Sequence, residues 1–287
     1  MELQARDRLI QWGDCPLIMG IVNVTPDSFF DGGRFTDPEA AMAHAVQLVE
    51  EGADLLDIGA ESTRPGSFSI DEAEELRRLI PIVAAVAKAV KVPISVDTSK
   101  AVVARAAVDT GAVIINDVTA LRGDPAMAEV VAESRAGLVL MHMQGAPQTM
   151  QEAPHYADVV KDVSSFLAER LQFAMSCGIA RRRIILDPGI GFGKLLVNNL
   201  DLLAQLHTFG KFDRPVLVGV SRKAFIGTIA GRPVEDRLWG TAAAVALAVE
   251  HGAQIVRAHD VRAMRDVAKV ASAITRRNLS TLQEQHA

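Results

Sequence analysis

Cysteine is scarce in this chain. Of 287 residues only Cys15 and Cys177 are cysteines, and they form neither a Cys-x-x-Cys pair nor part of a histidine cluster. A disulfide-stapled scaffold and a structural zinc site are therefore not expected, and a reduced cytoplasmic home is the default. Long apolar runs are missing as well. The longest, residues 242–249, falls far short of the ~20 residues that span a bilayer, and Glu2, Arg6, Asp7 and Arg8 stand where a signal peptide would need an apolar stretch. Basic excess is absent: 30 Lys and Arg against 35 Asp and Glu leave a net charge of −5. With no basic stripe there is no electrostatic reason to expect nucleic acid or a membrane surface as partner, so a small anion would have to be caught by local arginines. No linker, repeat or low-complexity segment divides the sequence. The expectation is one domain over residues 1–287, with a short N-terminal extension and a polar tail from about residue 277 that frays.

What the chain does contain is a rhythm. Eight short apolar runs, at residues 17–22, 54–58, 93–96, 113–115, 138–140, 184–186, 216–220 and 255–256, lead into Asn23, Asp57, Asp97, Asn116, His142, Asp187, Ser221 and Arg257. Between them lie helical patterns, for example at 37–51, 71–90 and 156–177; in the last of these Val159, Val163, Phe166, Leu167, Leu171 and Ala174 recur at three- and four-residue spacing. Gly52 and Gly178 fall where helices should stop, and Asp37-Pro38 reads as an N-cap followed by proline at the first helical position. Alternating strands and helices argue for a parallel α/β sheet, and eight strands favour closure into a (β/α)8 barrel. In such a barrel the polar run ends share the C-terminal rim, where active sites are built.

Several loops at that rim carry chemistry. The first, Asn23 to Phe35, holds Asp27, Asp31, Gly32 and Gly33 between Phe29, Phe30 and Phe35. It suits a lid offering oxygen ligands to a hard cation such as Mg²⁺ while its aromatics cover a substrate, although an ordinary Asx-type turn has the same composition. The second, residues 61–67, sets Arg64 among Ser62, Thr63 and Ser67. Asp97 could be an N-cap for a helix beginning near Ser99, unless Thr98 or Ser99 does that work. Asn116-Asp117 shares the ambiguity, and His142 has no second histidine or cysteine at metal-ligand spacing.

The stretch from Asp187 to Lys194 looks like a nucleotide loop and fails both tests. Pro188 and Leu195 stand where a Walker loop needs glycine and Ser or Thr, and Lys194 stands where the dinucleotide fingerprint needs glycine. Gly189, Gly191 and Gly193 instead let the backbone approach a flat ligand, with Asp187 able to accept two parallel N–H bonds from an amidine-like edge. Ser221-Arg222-Lys223 and Arg257-Ala258-His259-Asp260 follow the seventh and eighth strands, the position where barrels commonly bind phosphate.

Seven ordered segments, 23–29, 61–66, 95–100, 141–145, 187–194, 221–223 and 257–261, make the sequence resemble the dihydropteroate synthase family of pterin-binding TIM barrels along essentially its whole length. The resemblance implies condensation of (7,8-dihydropterin-6-yl)methyl diphosphate with 4-aminobenzoate, assisted by Mg²⁺, in a cytoplasmic homodimer. Carried over residue by residue, it implies a pterin pocket lined by Asp97, Asn116, Asp187 and Lys223, with Arg257 stacked on the ring. Arg257 and His259, with Asn23, Thr63 and Arg64, would hold the diphosphate and its metal; Asn23 would be the protein ligand and Asp31 its helper. Phe29, Thr63, Pro65 and Lys223 would shape the aminobenzoate site. The sequence departs from the family pattern at Ala224, where several relatives have serine, at Ala60 and at Ile190. The rival reading is the pterin-binding barrel of a corrinoid-linked methyltransferase, against which the lid loop, the Ser-Thr-Arg-Pro loop and residues 221–223 argue.

Overall fold

The computed structural model describes residues 1–24, 38–61, 67 and 69–276. The chain opens with an antiparallel hairpin, β1 (Glu2–Ala5) and β2 (Arg8–Gln11). Eight parallel strands follow: β3 (Leu17–Asn23), β4 (Leu55–Gly59), β5 (Ile94–Asp97), β6 (Ile114–Asp117), β7 (Gly137–Met141), β8 (Ile184–Asp187), β9 (Leu217–Gly219) and β10 (Ile255–Ala258). From β3 to β8 each pairs with its neighbour in chain order, β10 pairs with both β3 and β9, and a single parallel bridge from Leu186 to Val216 joins β8 to the chain entering β9. The sheet is thus the barrel that the alternating pattern implies.

The strands are Val-, Ile- and Leu-rich because both of their faces are buried. Alternation divides the side chains. Ile18, Val22, Leu56, Ile58 and Val96 point outward into the large core under the helices, whereas Leu17, Met19, Leu55, Ile114, Val139, Ile185, Leu217 and Ile255 fill the inside. The helices that cover the sheet are α1 (Pro38–Glu50), α2 (Glu72–Ala89), α3 (Ala101–Thr110), α4 (Met127–Ser134), α5 (Val159–Ser176), α6 (Leu196–Ala204), α7 (Ala224–Ala230), α8 (Leu238–Glu250) and α9 (Val261–Arg276). Asp71 and Asp158 cap α2 and α5 through the N–H groups of Glu74 and Lys161, at 2.8 and 3.1 Å. Gly52 and Gly178, at φ +102° and +86°, end the helices before them.

Two local features differ from the sequence expectations. α3 begins at Ala101 rather than near Ser99, and its first N–H donates to Asp124 Oδ2 at 2.7 Å. The cap comes from another loop, so Asp97 is released from that duty more completely than its neighbours suggested. The N-terminal extension is a structural plug. Leu3, Ala5, Ile10 and Trp12 of the hairpin pack against the lower barrel interior, and Arg6 and Arg8 donate to Val108 O and Lys91 O, each at 2.7 Å. Burying a side chain such as Leu3 completely contributes about 1.5–3 kcal/mol.

Candidate active site

Two residues above the apolar filling, the inward-facing positions turn polar. Asp57, Asp97, Asn116, Asp187 and Arg257 come from β4, β5, β6, β8 and β10, and the strand register sets Asp97 beside Asn116 and Met141 beside Asp187. Arg257 ties the layer together. Its Nε donates to Asp57 Oδ2 at 2.7 Å and its Nη2 to Asp97 Oδ2 at 3.2 Å, while Asn116 Nδ2 donates to the same Asp57 oxygen at 3.0 Å. Asn23 stands at the end of β3, in register with Gly59, which pairs in turn with Asp97.

The electrostatics follow from removing three carboxylates from water around few cations. Burial pushes the Asp97 carboxyl up to about 7; the nearby Asp57 charge adds to the rise and Arg257 opposes it. Burial raises Asp187 to about 6, against the pull of the Gly189 N–H, which donates to its Oδ1 at 2.7 Å, and of Lys223. Lys223 is lowered to about 8, by burial first and then by Arg257. Burial also acts against the Arg257 guanidinium, but Asp57 and Asp97 override it and hold Arg257 above the ordinary arginine value.

The loop after β8 is held by the chain beside it. A Cβ on Gly189 would lie 1.9 Å from His142 O, and one on Gly193 would lie 2.3 Å from Gln144 O; both glycines have positive φ. The close approach demanded at Gly189 and Gly193 is therefore to the backbone of residues 142–144, whereas a Cβ on Gly191 would lie 3.2 Å from the Lys223 side chain, on the side of the pocket. Lys194, almost fully buried, completes the clamp: its Nζ donates to Gly189 O at 2.8 Å, Phe192 O at 3.0 Å and His142 Nδ1 at 2.9 Å. Burial lowers Lys194 to about 7, and burial together with the Lys194 charge lowers His142 to about 2, so the imidazole is a neutral acceptor. His142 is a packed, hydrogen-bonded residue.

At the far side of the rim, Ser221 Oγ lies 2.9 Å from His259 Nδ1 and accepts the His259 backbone N–H at 3.2 Å. Lys223 Nζ sits 4.1 Å from the centroid of the Phe192 ring. Between Ser221 and Lys223 the chain turns through Arg222 at φ +57°. That left-handed residue is held by a bidentate pair with Asp260, at 3.0 and 2.6 Å, and by its N–H on Thr241 Oγ1 at 3.1 Å. The clasp joins the loops after β9 and β10, which carry Lys223 and His259.

The structure thus brings together Asp97, Asn116 and Arg257, places Asp187 and Lys223 within each other's electrostatic reach, and sets His259 against Ser221. Phe29, Asp31, Thr63, Arg64 and Pro65 lie outside the described residues. Two contributors stood in the sequence without an assigned role: Asp57, only as one of the eight run ends, and Lys194, only as the end of the 187–194 segment. Asp57 was visible as the polar residue in an apolar run, Leu55-Leu56-Asp57-Ile58; Lys194 carried no signal beyond its failed nucleotide motif.

The pterin-binding character is shared. A family model described as "Pterin binding enzyme" matches residues 19–259. The chain is 44% identical over 269 residues to the dihydropteroate synthase of Synechocystis sp., covering 93% of each chain. Among solved structures it is similar to Yersinia pestis dihydropteroate synthase with a sulfonamide drug complex, at TM-score 0.91 and 42% identity over 96% of this chain and 99% of that one. It is also similar to Xanthomonas albilineans dihydropteroate synthase with 4-aminobenzoic acid, at TM-score 0.89 and 49% identity over 95% and 97%. With a buried carboxylate, an arginine-linked polar floor and a cationic rim on one barrel mouth, the chain belongs to the dihydropteroate synthase family of pterin-binding enzymes.

Proposed function

We propose that this chain is a transferase of folate biosynthesis that joins 4-aminobenzoate to (7,8-dihydropterin-6-yl)methyl diphosphate, giving 7,8-dihydropteroate and diphosphate. The observation that carries the reading is the desolvated Asp187, 7% exposed, with the Lys223 charge acting on it, in a polar layer that lies above the hydrocarbon of the lower barrel. Asp187 accepts the 2-amino and N3 donors of the pterin, Asn116 and Asp97 serve its other edge, and Lys223 donates to its acceptor side. Arg257, its plane fixed by two carboxylates, stacks on the ring. Arg257 and His259, with Asn23, Thr63 and Arg64, receive the diphosphate; Phe29, Thr63, Pro65 and Lys223 border the aminobenzoate. The positions in 25–37 and 62–66 rest on sequence alone.

The reaction needs no protein nucleophile. The aniline nitrogen attacks the methylene carbon, the bond from that carbon to the diphosphate oxygen breaks with its electron pair leaving on diphosphate, and the amine proton passes to water. The electron-rich dihydropterin stabilises positive charge on the methylene carbon, and the cationic rim stabilises the negative charge gathering on the leaving group, so positioning and electrostatics supply the acceleration. Among the described residues no three His, Cys, Asp or Glu side chains stand together as metal ligands, and Asn23 brings a neutral oxygen to the rim. Asn23, with Asp31 as helper, would hold Mg²⁺, a hard cation suited to oxygen donors, and the ion would supply charge neutralisation on the departing diphosphate.

We place the enzyme in the cytoplasm as one domain and assign it a homodimer. No described helix is long and apolar enough to cross a membrane, while Trp239 and Leu247 on one face of α8, 79% and 53% exposed, make an apolar stripe suited to a second copy. The test is diphosphate release with Mg²⁺ present. It should require both the pterin diphosphate and 4-aminobenzoate; release independent of aminobenzoate, or none, would reject the assignment.

A further inference from the structure

Asp57 is the one carboxylate of the polar layer that a ligand cannot touch, being 0% exposed. Its Oδ2 nevertheless receives two site residues, Arg257 Nε at 2.7 Å and Asn116 Nδ2 at 3.0 Å. These donors come from β10 and β6, neither of which pairs with β4, so they reach over the barrel interior to meet on one oxygen. We propose that Asp57 is a positioning residue for the pterin step, fixing the orientation of both Asn116 and Arg257 before the substrate arrives. The proposal rests on the pterin pocket described above.

Two consequences follow from hydrogen-bond chemistry. With its NH₂ donating to Asp57 Oδ2, the Asn116 amide is oriented, and position 116 offers its oxygen to a ligand donor. Arg257, with Nε on Asp57 and Nη2 on Asp97, is pinned at two points of its planar fork. Its plane is set by strands β4 and β5, so a flat ring meets a preformed face.

The energetic position of Asp57 separates this role from a structural one. Its Oδ1 and the hydroxyl of Ser95, register neighbours on β4 and β5, are buried with no protein hydrogen-bond partner. Leaving such atoms unsatisfied opposes folding. At the next inward position of the same strand, Leu55 fills its space with hydrocarbon. A residue present only for stability would not be a half-satisfied carboxylate.

The test compares the wild-type enzyme, Asp57→Asn, Asn116→Ala and the double variant by calorimetry with a bare pterin, and by steady-state kinetics with both substrates. Asp57→Asn should keep or raise the melting temperature while weakening pterin affinity by about 10- to 100-fold, the worth of one to two powers of ten in misplaced hydrogen bonds. The KM for 4-aminobenzoate should stay unchanged. In the Asn116→Ala background the loss from Asp57→Asn should shrink, because part of its action passes through Asn116; fully additive losses would overturn the proposal. A fall in melting temperature with unchanged pterin affinity would also overturn it. Asp187→Ala serves as control: if it keeps full pterin affinity, the pocket reading fails, whereas if it loses pterin and Asp57→Asn does not, only the positioning role fails. Should Asp57→Asn not fold, nitrogen-detected NMR of the wild-type enzyme decides. The Arg257 Nε–H should be protected from solvent exchange before pterin is added, and rapid exchange in the empty enzyme would overturn the proposal.

Discussion

The two ends of the barrel interior are built by the same strands and obey opposite rules. On β4, β6, β8 and β10 the lower inward residues are Leu55, Ile114, Ile185 and Ile255, and the next inward residues are Asp57, Asn116, Asp187 and Arg257. One side-chain period separates them, about 7 Å along a strand. Below, a hairpin seals hydrocarbon from water and the packing favours folding. Above, three carboxylates are desolvated and two are displaced to about 6 and about 7, a cost that the lower layer and the outer core offset. The barrel separates stability from chemistry along its axis, so substitutions at the two levels should fail in different assays.

The sharpest break of that comparison is Asp187→Ala. Losing two charge-assisted bonds at about 1.5–3 kcal/mol each should lower kcat/KM for the pterin diphosphate by about two to four orders of magnitude. Melting temperature should hold or rise, because a buried charge has gone. Steady-state kinetics and a thermal scan on the same preparation check both halves; a large fall in stability would mean that the upper layer is structural after all.

Ile185→Ala, one inward step lower on β8, should do the reverse. Truncating a fully buried Ile costs about 2–5 kcal/mol, visible as an earlier urea midpoint with an unchanged slope. The KM values should remain within about twofold, an order-of-magnitude bound for a change that makes no polar contact. A KM rise matching that of Asp187→Ala would show the layers to be coupled.

pH sharpens the contrast further. In the proposed pterin pocket Asp187 must be ionised to accept the ring's donors, and its pKa is raised from 3.8 to about 6. Lys223 must be charged, and its pKa is lowered to about 8. Pterin affinity should therefore weaken both below about 6 and above about 8. Stability of the empty enzyme has the opposite acid dependence: a carboxyl raised on folding binds its proton more tightly when folded, so the contribution of Asp187 and Asp97 declines as pH rises from about 4 through their folded values of about 6 and about 7. Calorimetric titration of a bare pterin across pH, with melting curves of the empty enzyme, reads both trends. Affinity that is flat from pH 5 to pH 9, order-of-magnitude limits one unit outside the two values, would remove the ionisation requirement.

The smallest effect belongs to the hairpin rim. Arg8→Ala deletes an exposed bond to Lys91 O, worth about 0.5–1.5 kcal/mol. The melting temperature should drop slightly while every kinetic constant stays put, and altered kinetics would show that the plug communicates with the mouth.

By itself the sequence determined the barrel and the general location of its chemistry. Apolar runs ending in polar residues survive as a pattern because parallel strands buried on both faces must be hydrophobic along their length, and only their C-terminal ends are free to vary. The ordered motifs carried Asp97, Asn116, Asp187, Lys223, Arg257 and His259 to one rim for the same local reason. Tertiary structure decided what sequence spacing cannot encode. It joined Asp57, Asn116 and Arg257, separated by 59 and 200 positions from Asp57, on one oxygen. It set Gly189 and Gly193 against the backbone of His142 and Gln144, and made the N-terminal extension a plug. Such contacts depend on barrel closure, which brings together side chains whose separation along the chain says nothing of their distance in space.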